Sequence, residues 1–243
     1  MSTLPISIPP TFRDFYSFEQ HVKTCRAKRG LTVVEGWYQA PVFYYSNPFS
    51  LIGPDEPVAA PEGCNELDYE LELGVVIGTN GKNIRREDAW KHVAGFIIVN
   101  DFSARDIQRR EMAVGLGPAK AKDFATAVGP RLVPLSELGA QINGETITLA
   151  MSARLNGKTL SRGNSGDLYF SFPRMIEFAS RDCELRTGDL LASGTVGTGC
   201  ILELGPENAG GAGSAGGWLK PGDVVELEIE KLGVLRNLIT ARA

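Results

Sequence analysis

The sequence has little of three features that define large protein classes: cysteine, histidine and long apolar runs. Its 243 residues include four cysteines and two histidines. Cys25, Cys64, Cys183 and Cys200 are widely spaced and never form C-x-x-C, which disfavours a zinc knuckle and a disulfide framework. We therefore expect these four side chains to be packing residues. No segment approaches the roughly 20 consecutive apolar residues needed to cross a bilayer, so no membrane partner is expected.

Positive charge is not in excess either. The chain has 25 Lys and Arg against 29 Asp and Glu, giving a net charge of −4. This balance argues against a surface that follows a phosphate backbone, so nucleic acid is not an expected partner. The first ten residues, MSTLPISIPP, lack the charged and apolar regions of a signal peptide, so the expected location is the reducing cytoplasm.

The pattern that is present favours a β-rich fold with a few helices. Strands are predicted in ITLAMSARLNGKTL (147–160), DLLASGTVG (189–197) and DVVELEIEKLG (223–233), with turns at Asn156-Gly157 and at two Gly-Asp pairs. Helices are predicted at 18–29, at 86–91 and from Ser103 onward. Ser17 and Gln20 are predicted to form a capping box for the first of them, and Ser103 and Asp106 for the last.

The length fits one large or two small domains, and we predict a single domain over 1–243. Within it, 1–65 is expected to hold the N-terminal helix or lid and an irregular segment, and 66–243 the β-rich core. The Gly-rich stretch GPENAGGAGSAGG (205–217) lies between strand-like segments that resemble one another, which favours a loop over a domain linker. A lid and an ordinary loop both fit this composition.

The stretch LDYELELGVVIG (67–78) places Glu70 and Glu72 two apart in a predicted strand, so their Cα atoms would be roughly 6.5 to 7 Å apart on one face. Buried carboxylates this close must share a proton or surround a cation, whereas a solvated strand face would need neither. Asp101 ends the next apolar run. Three carboxylates with no cysteine nearby suit a hard cation with oxygen ligands, namely Mg²⁺, Mn²⁺ or Ca²⁺, better than zinc.

Potential donors to substrate oxygens follow Asp101 closely. Arg105 and Gln108 are three apart and would share one face of a helix, and Lys122 follows a Gly/Pro/Ala turn. Arginine offers a planar fork for a carboxylate, glutamine a neutral donor, and lysine a compact charge for an enolate. The alternative for the two charged residues is an ordinary place on the surface.

Five ordered blocks make the chain resemble the fumarylacetoacetate hydrolase family over nearly its whole length. They are DYELELGVVIG, NDFSARDIQ, GLGPAKAKDF, ELRTGDLLASGTVGTG and LKPGDVVELEIEKLGVLRN, and RDFYSFEQH (13–21) resembles the family segment that supplies a metal aspartate and a histidine. The resemblance implies a β-rich α+β fold, the mixed β-sheet roll of that family with a few helices. It also implies a homodimer.

The same resemblance implies a set of site residues. It assigns metal binding to Asp14, Glu70, Glu72 and Asp101. His21 would be the general base, Glu203 would orient it, and Lys122 would stabilise an enolate. Substrate contacts are implied for Tyr16, Arg29, Tyr44, Arg105, Gln108 and Thr195.

The implied activity is hydrolysis of a carbon–carbon bond in a diketo acid such as fumarylacetoacetate or an acylpyruvate, with Mg²⁺, Ca²⁺ or Mn²⁺ as cofactor and a small molecule as substrate. Retention of the histidine segment favours hydrolysis. The alternative is a decarboxylase or isomerase of a 2-oxo or dienedioic acid, such as oxaloacetate or 2-hydroxyhepta-2,4-diene-1,7-dioate. The stretch FYYSNPFS (43–50) departs from the family's pocket segment. A non-catalytic calcium-binding protein is a third interpretation of the sequence.

Overall fold

The computed structural model describes residues 4–209 and 216–242, in which two large β-sheets form the framework. Sixteen strands are found there, in chain order β1 (Phe12–Phe15), β2 (Phe43–Ser46), β3 (Leu51–Ile52), β4 (Val58–Ala59), β5 (Leu67–Asp68), β6 (Leu71–Ile77), β7 (Val93–Asp101), β8 (Ser103–Ala104), β9 (Thr126–Pro134), β10 (Ile142–Asn143), β11 (Thr146–Ile147), β12 (Ala150–Leu155), β13 (Lys158–Asn164), β14 (Leu190–Ala192), β15 (Val224–Ile229) and β16 (Gly233–Thr240).

The larger sheet has the order β2-β1-β14-β6-β7-β9-β3, and the second has the order β13-β12-β15-β16-β4. Two short pairs, β5-β8 and β10-β11, complete the pairing. The helices of the described residues are α1 (Glu19–Ala27), α2 (Glu35–Gln39), α3 (Arg105–Ala113), α4 (Phe172–Ala179) and α5 (Ile201–Leu204), and Arg86–His92 forms a 3₁₀ helix. The strand-rich mixed architecture predicted from the sequence is confirmed.

The central strands β6 and β7 are apolar along most of their length because both faces of the larger sheet are covered. On β7, Phe96 and Ile98 pack in the main core cluster, while Ile97 and Val99 pack in a second cluster on the opposite face. A strand buried on both faces has no polar side to alternate with, which accounts for the continuous run FIIV. The site therefore rests on strands with little freedom to shift.

The start of α1 differs from the prediction. The N-cap is Phe18, without a side-chain cap, and Ser17 is not the capping residue. The main chain of Ser17 is held elsewhere, since its amide donates to the carbonyl of Ser193 and its own carbonyl accepts from Tyr169. Its hydroxyl contacts the sulfur of Met175. These tertiary contacts keep Ser17 extended, so the helix begins two residues later.

The predicted capping box of α3 is also wrong. Ser103 lies in β8 and its hydroxyl donates to the carbonyl oxygen of Asp101, so it is not available to a helix amide. The helix begins at Arg105 after Ala104. The predicted hairpin turn at Asn156-Gly157 is confirmed, with both residues at positive φ between β12 and β13.

The N-terminal segment is part of both sheets and is not a separate irregular layer. It supplies β1, β2 and β3 to the larger sheet and β4 to the second. The Gly-rich stretch lies partly outside the described residues, which stop at 209 and resume at 216. Of the helices in the described ranges, none combines the length and apolar character needed to span a bilayer.

Candidate active site

Three carboxylates meet at one end of the larger sheet. Asp14 lies on β1, Glu72 near the start of β6, and Asp101 at the end of β7. Strand β14 is parallel to β1 and antiparallel to β6, which in turn is antiparallel to β7. The ends of β1 and β7 and the start of β6 therefore lie at the same end of the sheet. One oxygen from each carboxylate lies within 4.8 Å of the other two.

This cluster is buried and lacks enough donors for its oxygens. Asp14 is 1% exposed, Glu72 1% and Asp101 fully buried, which excludes the solvated strand face. Asp14 Oδ1 and Glu72 Oε2 have no hydrogen-bond partner among the described residues. Burial and the neighbouring carboxylates raise the pKa of Asp14 and of Glu72 well above their ordinary values. A divalent cation fits this set, because it would satisfy both oxygens and offset the repulsion.

Glu70 lies beside the cluster, where it pairs with Lys122. The ammonium of Lys122 contacts Glu70 Oε2 and lies 2.5 Å from Asp101 Oδ2. Strand β5 ends at Asp68 and β6 starts at Leu71, so Glu70 and Glu72 do not have the regular strand spacing assumed from the sequence. Metal binding by Glu70 stays a prediction. Here it links the carboxylate cluster to the cationic side chains.

Arg105 joins Glu70 to a further carboxylate. At the first position of α3, its Nη2 donates to Glu70 Oε1 at 2.6 Å and its Nε to Asp68 Oδ2 at 2.8 Å. Its Nη1 donates to Gln108 Oε1 at 3.0 Å, as expected for residues three apart on one helical face. Burial opposes ionisation of Glu70, but the charges of Lys122, Arg105 and His21 outweigh it and lower its pKa.

His21 and Glu203 form a buried pair. His21 lies on α1, Glu203 on α5, and His21 Nδ1 is 2.8 Å from Glu203 Oε2. Burial alone would lower the pKa of His21, but hydrogen bonds to Cys200 and Glu203 and the charge of Glu203 raise it to about 10. The raised pKa favours the protonated form of His21, and Nε2 is the ring nitrogen that does not face Glu203.

Asp68 is the site residue that sequence reasoning did not single out. Its carboxylate accepts hydrogen bonds from the amides of Ile201 and Leu202, at 2.7 and 3.1 Å, in addition to the contact with Arg105. It thus caps the short helix that carries Glu203. Its place beside Glu70 and Glu72 on the polar face of the motif was visible, but the two amides that it caps lie more than 130 residues away along the chain.

Two of the three hydroxyl-bearing residues predicted to contact substrate lie against the carboxylate cluster, and the third lies against His21. Tyr44 places its hydroxyl 2.5 Å from Asp101 Oδ2 and 3.1 Å from Asp14 Oδ2, and Thr195 donates to Glu72 Oε1 at 3.2 Å. The ring of Tyr16 meets His21 edge-on, with centroids 5.5 Å apart.

Arg29 is placed differently from these residues. It is exposed, and it contacts the main chain of Cys25 and the sulfur of Met112. Its role in substrate binding stays a prediction.

A cleft of about 350 Å³ opens beside the site, with Tyr44, Asn47, Lys122 and Asp123 in its wall. It gives access from solvent to the lysine that contacts Glu70 and Asp101. A larger cleft of about 520 Å³ lies elsewhere, near Arg86, and contains none of the predicted site residues. We take the smaller cleft as the entrance, since it alone of the two reaches the clustered charges.

Comparison with known proteins identifies the family. The profile of the fumarylacetoacetate (FAA) hydrolase C-terminal domain matches residues 11–240, so the chain belongs to the fumarylacetoacetate hydrolase family, which is a family of enzymes. The chain is 34% identical over 200 residues to the oxaloacetate tautomerase YisK of Bacillus subtilis, covering 82% of this chain and 61% of that protein. It is 33% identical to the mitochondrial oxaloacetate tautomerase fahd2 of Xenopus laevis, covering 81% and 57%.

A solved structure shares the fold. The fumarylacetoacetate hydrolase EaFAH of Exiguobacterium antarcticum superposes with a TM-score of 0.72 at 26% identity, covering 97% of this chain and 76% of that one. The chain spans about three fifths of the length of the two tautomerases. The relatives therefore include both reaction classes considered from the sequence, and those with the higher identity are tautomerases.

Proposed function

We propose that this protein is a divalent-cation-dependent tautomerase of a 2-oxo dicarboxylic acid such as oxaloacetate. The observation that carries this choice is the name shared by the two relatives at 33–34% identity, each an oxaloacetate tautomerase matching about four fifths of this chain. It favours the isomerase alternative over carbon–carbon bond hydrolysis, which was the main interpretation of the sequence.

Tautomerisation needs few groups. A proton moves between C3 and the oxygen on C2, and negative charge develops on that oxygen during the transfer. The site must therefore hold the acid, stabilise the oxyanion and exchange one proton at C3. Bound by Asp14, Glu72 and Asp101, a divalent cation would supply Lewis-acid polarisation of the 2-oxo group.

The protein's own side chains can provide the remaining functions. Lys122 is a buried cation beside Glu70 and Asp101, where a developing oxyanion would gain a charge-assisted hydrogen bond. Arg105 and Gln108, joined at 3.0 Å, present donors for a substrate carboxylate. His21 carries a proton at neutral pH, and Nε2 is free to deliver it to C3 because Nδ1 is held by Glu203.

The protonation state of His21 helps to distinguish tautomerisation from hydrolysis. An imidazolium can donate a proton to the C3 carbon of an enol while the enol hydroxyl releases its proton to solvent. In the reverse direction the neutral imidazole removes a proton from C3 while the oxygen on C2 takes one from solvent. Hydrolysis instead needs a histidine that begins neutral and removes a proton from water. Hydrogen bonds to Cys200 and Glu203 raise the pKa of His21, which favours the protonated form and therefore the first task.

Proton exchange at C3 tests the proposal directly. Enol-rich oxaloacetate is mixed with the enzyme and Mg²⁺ in D₂O, and the keto and enol forms, deuterium at C3, pyruvate and CO₂ are followed together. We expect enzyme-dependent loss of the enol and deuterium uptake at C3 without added pyruvate or CO₂. Release of CO₂ above the buffer rate would instead assign a decarboxylase, and no enzyme-dependent change in any signal would contradict the proposal.

Hydrolysis of an acylpyruvate is the second candidate, because the 2.8 Å contact between His21 and Glu203 is also the arrangement that a water-activating base requires. Stoichiometric release of pyruvate and the acyl acid from an acylpyruvate, at a rate exceeding oxaloacetate tautomerisation, would favour it. The homodimer and the cytoplasmic location stay predictions. Light scattering of the purified protein checks the first.

A further inference from the structure

A second cluster of side chains that could bind a metal includes His21 and contains sulfur. Cys25 follows His21 by one helical turn on α1, and Cys200 immediately precedes α5. Cys25 Sγ lies 3.7 Å from both ring nitrogens of His21, and one ligand atom from each of the three residues lies within 4.8 Å of the other two. Cys25 and His21 are each 5% exposed and Cys200 is fully buried.

The spacing suits a tetrahedral ion. Bonds of about 2.3 Å to sulfur and 2.0–2.1 Å to nitrogen, at tetrahedral angles, separate neighbouring donor atoms by about 3.5–3.8 Å. The 3.7 Å separation between Cys25 Sγ and Nε2 of His21 lies in that range. Glu203 holds Nδ1 of His21 at 2.8 Å, so Nε2 is the nitrogen available to an ion. A carboxylate on the opposite ring nitrogen is the usual support of a metal-bound histidine.

We propose that His21, Cys25 and Cys200 form a binding site for a soft divalent cation such as Zn²⁺ or Cd²⁺, separate from the carboxylate cluster. The occupied site inhibits the enzyme, since Nε2 of His21 can then no longer exchange a proton with substrate. Thiolate and imidazole ligands select soft ions, whereas the carboxylates of Asp14, Glu72 and Asp101 select hard ones. The two sites would therefore discriminate between metals by ligand chemistry.

The charges balance on binding. Two metal–sulfur bonds and one metal–nitrogen bond form, the two thiols lose their protons, and an imidazolium loses its Nε2 proton, so up to three protons go to solvent. The dication and two thiolates are together neutral, which limits the cost of burial. Arg105 lies close enough to both sulfurs to interact with their charge. A water molecule would complete the fourth position of the ion.

The experiment uses Cd²⁺ with excess Mg²⁺ present and the thiols kept reduced. The C64A/C183A protein removes the two cysteines outside the cluster, of which Cys64 is partly buried and Cys183 is exposed. Titration is followed by the sulfur-to-cadmium charge-transfer band. We expect saturation at one Cd²⁺ per chain, with affinity lowered at least about tenfold in each of C25S and C200S made in this background. E72Q, which alters the carboxylate cluster, should keep the band.

X-ray absorption spectroscopy of the cadmium complex counts the sulfur atoms bound to each ion and needs no further variant. The test therefore remains valid if C200S fails to fold. Two sulfurs per ion support the site, and one or none overturns it. A band that survives both serine changes, or no band in reduced C64A/C183A protein, overturns it as well. The binding readout does not depend on the proposed activity, so failure of tautomerisation and failure of cadmium binding are distinct results.

Discussion

Glu72 shows how a single residue can be costly in one state and useful in another. Its Oε2 is buried without a hydrogen-bond partner among the described residues, and Asp14 and Asp101 add like charge nearby. In the absence of a cation this arrangement opposes folding, whereas a bound cation would take the same oxygens as ligands. The stability effect of changing Glu72 should therefore depend on the metal.

We predict that Glu72→Gln has effects of opposite sign with and without Mg²⁺. Removing one of three clustered charges should raise the melting temperature of the metal-free protein by about 2–4 °C, the shift expected for about 1 kcal/mol in a chain of this size. With saturating Mg²⁺ the variant should melt below the wild type. Thermal melts with chelator and with Mg²⁺ check this, and a uniform loss of stability in both would contradict the cation site.

His21 is predicted to act in proton transfer and not in holding the cation. His21→Gln should lower kcat by about 10² to 10⁴, the usual contribution of one positioned acid or base. Mg²⁺ affinity measured by calorimetry should stay within a factor of two or so of the wild type, since His21 is not part of the carboxylate cluster. Unchanged kcat would remove the residue from the mechanism.

At the scale of elements, the site depends on how α5 is held. This helix spans only Ile201–Leu204, too short to be stable by its own hydrogen bonds. Asp68 supplies acceptors to two of its amides and binds Arg105 with the same carboxylate. The orientation of Glu203 toward His21 therefore depends on a residue that touches neither.

Asp68→Asn should loosen α5. We expect a loss of about 1–3 kcal/mol in the free energy of unfolding, the cost of a weakened buried hydrogen-bonded group. We also expect a fall in kcat larger than any change in KM. Glu137→Gln, which disrupts an ion pair with Arg131 that is half exposed on both sides, is the matched control and should leave both quantities unchanged. Equal effects in the two variants would contradict the capping role.

The turn after β14 positions Thr195 against Glu72 and requires glycine. Gly194 has φ +79°, and a Cβ there would lie 2.4 Å from the carbonyl oxygen of Phe15. Gly194→Ala should therefore destabilise the protein by about 1–3 kcal/mol. Gly36→Ala, a position in α2 with open space around it, is the control and should be neutral or slightly stabilising. Urea denaturation measures both, and equal midpoints would contradict the account of this turn.

At the scale of the whole molecule, the sequence predicted the family and much of the carboxylate site because both reside in contiguous motifs. Glu72 and Asp101 belong to two such motifs on adjacent strands, and Arg105 and Gln108 share a helix. Contacts between segments that are distant in the chain could not be predicted from such motifs. The cysteines illustrate this limit: all four were predicted to be packing residues, yet Cys183 is exposed.

Cys25 and Cys200 are buried as predicted, but the approach of Cys200 to His21 and Cys25 could not be inferred. Helix α1 and the N-cap of α5, Cys200, are more than 170 residues apart in the chain and meet only in the folded state. For the same reason Asp68 was not recognised as a cap for α5. Spacing predicts which residues share a face of one element, whereas the approach of separate elements is set by packing over the whole domain.

The central claim is that Asp14, Glu72 and Asp101 bind a divalent cation, and crystals soaked with Mn²⁺ test it most directly. The account predicts an anomalous scattering peak at the end of the larger sheet where these three carboxylates meet, with an oxygen of each carboxylate at bonding distance from the ion. In this state Lys122 is expected to lie beside the site and not within it. An anomalous map without a peak there, while the three carboxylates keep their positions and Mn²⁺ occupies other sites, would contradict the claim.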